Sequence, residues 1–280
     1  MDDRIELFDQ LLRVAALAEA EGLPLRLIGG AAMQLWGHVL NEARAMTSDL
    51  DWVLTTTELS DIETARARLE PLVPALRELG FERPAERRSS RSGRFQFQHA
   101  GGKIDVEFLC GNVPFGRCSR REPAYELVTL GDAEDPPAFY AAKTPWIDKI
   151  ERWLRVHVVG TERSAMVWIP HLDSLALLKL KAVRDKLERV DSERDSERLE
   201  YERVRLQRHG DDLLTLMRWL EERGEFVDLL DRIRTDDEVR SVSNESERRL
   251  LVIDPAHVHD HASLRNGLRR LARAANSGKA

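Results

Sequence analysis

Apolar and polar positions alternate with the period of an α-helix over the first twenty residues, and a short strand follows. The apolar face of this helix consists of Ile5, Phe8, Leu11, Leu12, Ala15 and Ala16. A turn at 22–24 precedes the run 25–28, whose apolar residues predict a strand. That strand stops at Gly29-Gly30, and residues 31–36 favour a helix again. The pattern therefore predicts a strand, a glycine turn and a helix in succession.

Two later strands carry acidic side chains. A strand is predicted at 50–55, and Asp49 and Asp51 stand at its start. Period-two alternation over 94–109 predicts an antiparallel hairpin, with Asp105 on its polar face. Both strands are thus expected to present carboxylates.

The rest of the chain changes from mixed to helical patterning. The segment 113–145 holds five prolines and is expected to be rich in loops, while 166–169 favours a last strand. Helix formers then dominate, and the Glu- and Arg-rich run 187–209 is expected to be a solvent-facing helix. We predict an α+β fold with a mixed-sheet domain at 1–170 and a helical domain at 171–280.

Composition excludes several classes of protein. The chain has 280 residues, of which 33% are charged, and its formal charge is −6. A net acidic chain does not coat nucleic acid through bulk charge, although a local basic face remains open. No apolar run approaches the roughly 20 residues of a membrane span, so we expect no membrane partner. Two cysteines, Cys110 and Cys118, exclude a disulfide scaffold and favour a cytoplasmic location.

The acidic strands and the glycine turn suggest phosphate chemistry. Residues two apart in a strand point to the same side, so Asp49 and Asp51 project together. With Asp105 from a neighbouring strand they form an oxygen-rich site of the kind that Mg²⁺ prefers. Two such ions can stabilise the attacking and leaving oxygens of a phosphoryl displacement. Backbone N–H groups after Gly29-Gly30 at a helix N-terminus favour a phosphate.

Three sequence runs carry a specific resemblance. Leu-Ile-Gly-Gly-Ala-Ala-Met at 27–33 and Thr-Ser-Asp-Leu-Asp at 47–51 resemble the signature of the nucleotidyltransferase (polymerase-β-like) superfamily. Within it, the chain is most similar to the AbiEii-type toxins of toxin–antitoxin systems, which also carry a Lys-bearing helix, matched here at 169–182. Their downstream acid–Leu pair is matched by Asp212 and the leucine after it. The likeness covers residues 25 to about 215.

The resemblance implies a nucleotidyltransferase mixed β-sheet with flanking helices and a metal-dependent transfer. Asp49 and Asp51 would hold two Mg²⁺ ions, for which Mn²⁺ can substitute. Asp105 would bind one of them and help to deprotonate the acceptor hydroxyl. That hydroxyl would attack the α-phosphorus of a nucleoside triphosphate, so that a nucleoside monophosphate is transferred and pyrophosphate leaves.

The resemblance also implies how the nucleotide and the partners bind. Gly29 and Gly30 would admit the triphosphate close to the backbone, Lys179 would neutralise phosphate charge, and Arg184 would support it. Ala31 stands where many members have Ser, so one hydroxyl to phosphate is missing. The implied acceptor is RNA, most plausibly a tRNA end, and the implied partner is a cognate antitoxin protein.

Two alternatives stay open. The same chemistry suits a small-molecule nucleotidyltransferase, such as an antibiotic-modifying enzyme. The fold also suits a non-catalytic module that senses a nucleotide or binds a partner. The arginines between Arg83 and Arg94 bear on this choice, because they form either a clamp for acceptor phosphates or a solvated loop.

Overall fold

The computed structural model describes most of the chain. The described residues are 3–23, 25–42, 47, 49–55, 63–64, 67, 71–82, 96–99, 104–112, 117–119, 126–130, 139–160, 162–255, 258 and 260–277.

The chain forms two compact units, a mixed unit at Met1–Pro170 and a helical unit at His171–Ala280. The helices described in full within the mixed unit include α1 (Asp3–Ala20), α2 (Gly29–Val39) and α3 (Leu72–Glu78), with a 3₁₀ helix at Pro145–Lys149. Its strands are β1 (Leu25–Ile28), β2 (Asp49–Leu54), β3 (Phe81–Glu82), β4 (Gln96–His99), β5 (Asp105–Cys110), β6 (Arg117–Ser119), β7 (Glu126–Leu130), β8 (Phe139–Lys143), β9 (Trp153–Val159) and β10 (Ser164–Pro170). The helical unit consists of α4 (Leu172–Ser192), α5 (Ser196–Glu222), α6 (Phe226–Thr235), α7 (Asp237–Val252) and α8 (His261–Asn276).

A mixed sheet organises the first unit. Its strand order is β1-β2-β5-β8-β7-β6, and β4 joins β3 to β5. Strand β1 is antiparallel to β2, whereas β5 runs parallel to both β2 and β8. The fold is therefore α+β with a mixed sheet, as the sequence predicted.

At their acid-bearing ends, the two central strands have one buried and one half-buried face. Along β5, Val106 and Phe108 are buried whereas Asp105 and Glu107 are only half-buried. Strand β2 starts with the same alternation, since Leu50 is buried between half-buried neighbours. The apolar face drives the strands into the core, which leaves the carboxylates on the accessible face.

A separate ribbon follows the sheet. Strands β9 and β10 pair antiparallel over seven positions, from Trp153↔Pro170 to Val159↔Ser164. Its inner face packs through Ala165, Val167 and Ile169, which are all buried. The outer face stays open to solvent at several positions.

The helical unit is held together by a leucine core and by ion pairs. Helices α4 and α5 run in opposite directions. The order of their ion pairs shows this, since Lys179 pairs with Asp212 and Lys186 pairs with Glu202. Gly267 of α8 lies directly against Leu214 of α5, since a Cβ at Gly267 would lie 2.7 Å from the leucine side chain. Buried leucines from α4, α5 and α8 fill the space between the helices.

Several predicted elements are confirmed and two predictions are wrong. The strand at 25–28, the acidic strand β2 and the β4–β5 hairpin form as expected. The loop-rich expectation for 113–145 is wrong in part, because β6, β7 and β8 lie there and none of the five prolines falls within them. The single helix expected at 187–209 is also wrong: α4 ends at Ser192, and Asp195 caps α5 by accepting from the backbone N–H groups of Glu197 and Arg198.

Among the helices that the structure describes, none combines the length and the apolar character needed to cross a membrane.

Candidate active site

The acidic residues meet at the start of two neighbouring parallel strands. Asp49 of β2 is the register partner of Asp105 of β5, and Asp51 is the partner of Glu107. Adjacent strands lie about 4.8 Å apart, so paired residues on one face are immediate neighbours. Like charges side by side repel each other unless a cation lies between them. This arrangement therefore favours a bound cation.

Gly29 lies against the Asp51 carboxylate. The glycine has a φ of +71°, and a Cβ built on it would lie 1.9 Å from Asp51 Oδ2. Both the left-handed backbone and the lack of space exclude any side chain at this position. The preceding residue, Ile28, pairs with Asp51 across β1 and β2, which brings the glycine corner to the acid. Helix α2 begins at this corner, so its first backbone N–H groups start beside the carboxylate.

Gly30 lies against Thr47, a residue that the sequence analysis left without a role. A Cβ at Gly30 would be 2.8 Å from Thr47 Oγ1. The Thr47 hydroxyl donates a hydrogen bond to Asp49 Oδ1. Thr47 therefore connects the second glycine of the pair to the first acid. Its position two residues before Asp49 was the available signal, because a hydroxyl so placed reaches the carboxylate.

Gln98 orients the third acid. Its Nε2 donates to Asp105 Oδ1 at 3.0 Å, across the register pair Gln98↔Asp105 of the β4–β5 hairpin. Because Thr47 and Gln98 are uncharged donors, their hydrogen bonds orient Asp49 and Asp105 without cancelling the negative charge.

The donor set fits Mg²⁺ better than a transition metal. Asp49, Asp51 and Asp105 supply carboxylate oxygens only, which hard cations with retained waters prefer. Among the residues that the structure describes, no group of three or more His, Cys, Asp or Glu side chains is already arranged around a metal position. Thr47 and Gln98 each donate to the Oδ1 atom of their aspartate, and each carboxylate has a second oxygen that can bind a cation.

Lys179 is a structural ion-pair partner within the helical unit. Its Nζ lies 2.7 Å from Asp212 Oδ2, and the lysine side chain is only 7% exposed. The resemblance singled out both Lys179 and Asp212, and these two residues form an ion pair with each other. The triphosphate role of Lys179 stays a prediction.

His209 lies in the same region of the α4–α5 pair. Desolvation, together with the positive charges of Lys179, Arg205 and Lys186, lowers the pKa of His209 to about 2. Its Nδ1 is enclosed, and none of the residues that the structure describes forms a hydrogen bond with it. The imidazole is therefore neutral in the folded protein at physiological pH.

Arg184 is engaged by carboxylates. Its Nε lies 2.9 Å from Glu245 Oε2, and its Nη1 lies 3.0 Å from Asp185 and 2.9 Å from Glu188. Burial acts to lower the pKa of Arg184, but the hydrogen bonds that Arg184 donates to Glu245 and Asp185 raise it above its ordinary value. The supporting role at the triphosphate stays a prediction, which these ion pairs do not favour. The arginines from Arg83 to Arg94 lie outside the described residues.

Comparison with family models, with curated proteins and with solved structures finds no match for this chain. The functional assignment therefore depends on the acids of β2 and β5, the glycine corner and the sequence resemblance.

Proposed function

We propose that the mixed unit is a metal-dependent nucleotidyltransferase that moves a nucleoside monophosphate from a nucleoside triphosphate to an acceptor hydroxyl. The observation that carries the proposal is the side-by-side placement of Asp49 and Asp105, with Asp51 against Gly29. Asp49 and Asp105, which lie this close together and are each oriented by a neutral donor, are costly to keep without a cation. A structural role alone would not require them to stay together.

The residues supply distinct parts of the reaction. Asp49, Asp51 and Asp105 would hold Mg²⁺, which when bound neutralises charge on the reacting phosphates. Asp105 accepts the proton of the acceptor hydroxyl. The hydroxyl oxygen forms a bond to the α-phosphorus, the bond from that phosphorus to the bridging oxygen breaks, and pyrophosphate leaves. Backbone N–H groups at Gly29 and Gly30 bind a phosphate at the start of α2.

The sequence resemblance adds the acceptor, the biological role and the partner to the proposal. The acceptor would be RNA, with a tRNA end as the leading candidate, and the protein would act as an AbiEii-like toxin that a cognate antitoxin neutralises. These parts are supported by the sequence runs at 27–33 and 47–51. The contacts of the described residues support the transfer chemistry.

The deciding experiment follows the phosphate label. Wild type and Asp49→Asn are incubated with Mg²⁺, total RNA and each nucleoside triphosphate, labelled at either the α- or the γ-phosphate. We expect α-label on RNA with wild type only, and γ-label only in released pyrophosphate. Label on an added hydroxylated antibiotic but not on RNA would favour the small-molecule enzyme. Nucleotide binding without transfer to any acceptor would overturn the proposal in favour of the sensing module.

A further inference from the structure

The outer face of the β9–β10 ribbon interleaves indole rings with guanidinium groups. Arg26 of β1 places its Cζ 4.9 Å from the centroid of the Trp153 ring and 5.3 Å from that of Trp168. Arg155 lies 5.8 Å from the Trp168 ring on the other strand of the ribbon. Two tryptophans and two arginines from three strands thus form one continuous cluster.

This face is exposed at several positions and carries no acid within the ribbon. Antiparallel partners share a face, so the register assigns one side to Trp153, Arg155, His157, Val159, Ser164, Met166, Trp168 and Pro170. None of these eight residues is acidic. Trp168 is 38% exposed and Val159 is 71% exposed, so this face presents apolar side chains to solvent. Arg155 pairs with Glu19 of α1, whose Oε1 accepts from Nη2 at 3.0 Å in an exposed pair.

The cluster lies on the acid-bearing face of the sheet. Arg26 is the pairing partner of Val53, and Val53 points to the same side of β2 as Asp51. Ile28, the partner of Asp51, lies two residues along β1 from Arg26, which corresponds to about 7 Å. A chain that contacts Arg26 is therefore within a few residues' length of the proposed reaction centre.

We propose that the cluster of Arg26, Trp153, Arg155 and Trp168 is a platform that binds single-stranded nucleic acid. Indole faces stack on bases whatever their sequence, and arginines donate to the phosphates between them. A proline-rich peptide would also pack on exposed tryptophans, but it gains nothing from the two guanidinium groups. The platform adds a binding surface for the acceptor to the proposed function. The statement that the bound nucleic acid is the acceptor rests on that proposed function.

Binding is tested without catalysis. Fluorescence anisotropy measures the Kd of the full chain for a labelled 12-nucleotide RNA and for DNA of the same sequence, in EDTA and without nucleoside triphosphate. Trp168→Ala should weaken binding by roughly 5- to 100-fold, and Trp168→Phe should stay within about threefold of wild type because a ring is retained. The matched control is Tyr201→Ala, which removes a 56% exposed ring with Arg205 5.6 Å from its centroid and should change nothing.

A second variant tests the platform even if the substitution of Trp168 disturbs the fold. Arg155→Gln should lower the slope of log Kd against log salt by about 0.7, the contribution of one phosphate contact on a single strand. Binding of either the RNA or the DNA oligonucleotide that depends on Trp168 supports the platform. Tighter binding of the RNA than of the DNA supports RNA as the acceptor. The platform is overturned if wild type binds neither oligonucleotide or if Trp168→Ala binds them with the Kd of wild type. It is also overturned if only a proline-rich peptide binds.

The two proposals fail in different ways. Transfer of label to a small acceptor by a protein that binds neither oligonucleotide would overturn the platform and leave the transferase. Trp168-dependent binding by a protein that transfers no nucleotide would do the reverse.

Discussion

Asp49 lies directly beside Asp105 on the parallel strands β2 and β5, and each accepts a hydrogen bond from an uncharged side chain. The two acids come from distant chain segments, and the described elements between them include helix α3 and strands β3 and β4. Their proximity is a property of the sheet, because parallel strands need a long connection and sequence spacing alone does not reveal which strands become neighbours.

The first prediction separates catalysis from stability at this pair. Asp105→Asn should lower transfer by about 10³-fold, because it removes a metal ligand and the proton acceptor. The free energy of unfolding should not fall, since the amide oxygen still accepts from Gln98 and the repulsion from Asp49 is relieved. Steady-state kinetics and urea unfolding measure the two quantities. Glu107→Gln, a change two residues along the same face, should leave most of the activity, and equal losses in both variants would contradict the assignment.

The second prediction concerns the contact between Gly29 and Asp51. Gly29→Ala should destabilise the protein by about 3 kcal/mol or more, the sum of left-handed strain and steric collision. Gly224→Ala is the matched control, because that glycine has the same φ of +71° but nothing within 4 Å of the added Cβ. It should cost only about 1 kcal/mol.

A double variant isolates the collision. In an Asp51→Ala background, Gly29→Ala should cost little more than Gly224→Ala does, because the obstructing carboxylate is gone. Thermal unfolding of wild type, the three single variants and the double variant measures this. If Gly29→Ala and Gly224→Ala were equally destabilising in the wild-type background, the close approach would be refuted.

The third prediction follows from His209. Its pKa falls from its usual 6.5 to about 2 in the folded chain, so the unfolded chain binds one more proton between these values. The free energy of unfolding therefore falls as the pH is lowered through 6.5, by up to about 1.4 kcal/mol per pH unit. Urea unfolding at pH 7 and pH 5 should show wild type losing about 2 kcal/mol more than His209→Gln. Parallel pH profiles for the two proteins would contradict a neutral, desolvated imidazole.

The fourth prediction tests the Lys179–Asp212 pair. Lys179→Met leaves the Asp212 carboxylate, 18% exposed, without its ammonium, and should cost about 3 kcal/mol. Lys179→Met/Asp212→Leu should recover most of that loss. The control is Arg218→Met, which breaks the exposed Arg218–Glu222 pair and should cost less than about 1 kcal/mol. Urea unfolding that shows no coupling between Lys179 and Asp212 would mean that the pair does not stabilise the unit.

The sequence was informative where local pattern decides the structure. Apolar alternation indicated β1, β2 and the β4–β5 hairpin, and hairpin pairing brings Gln98 to Asp105. The strand β9 was missed, although Leu154, Val156 and Val158 alternate, because its other positions carry Trp and Val and so blur the polar side. Strands within 113–145 were missed because prolines near a strand were taken to exclude it.

The sequence indicated which residues form the candidate site, but it did not indicate which of them contact one another. Asp49, Asp51 and the glycines could be singled out because they cluster around two predicted strands. The positive φ of Gly29 and its approach to Asp51 depend on the β1–β2 register, which tertiary packing sets. The partner of Lys179 was equally hidden, since pairing between α4 and α5 depends on where the charged run 187–209 breaks.

Manganese binding tests the central claim most directly, because Mn²⁺ takes the place of Mg²⁺ at oxygen ligands and is detected by electron paramagnetic resonance. We predict that wild type binds Mn²⁺ in the presence of a nucleoside triphosphate, in excess of the Mn²⁺ bound by the nucleotide alone. Asp49→Asn and Asp105→Asn should each lose that excess while Glu107→Gln retains it. Binding that is unchanged in both aspartate variants, or no excess in wild type, would contradict a metal site between β2 and β5.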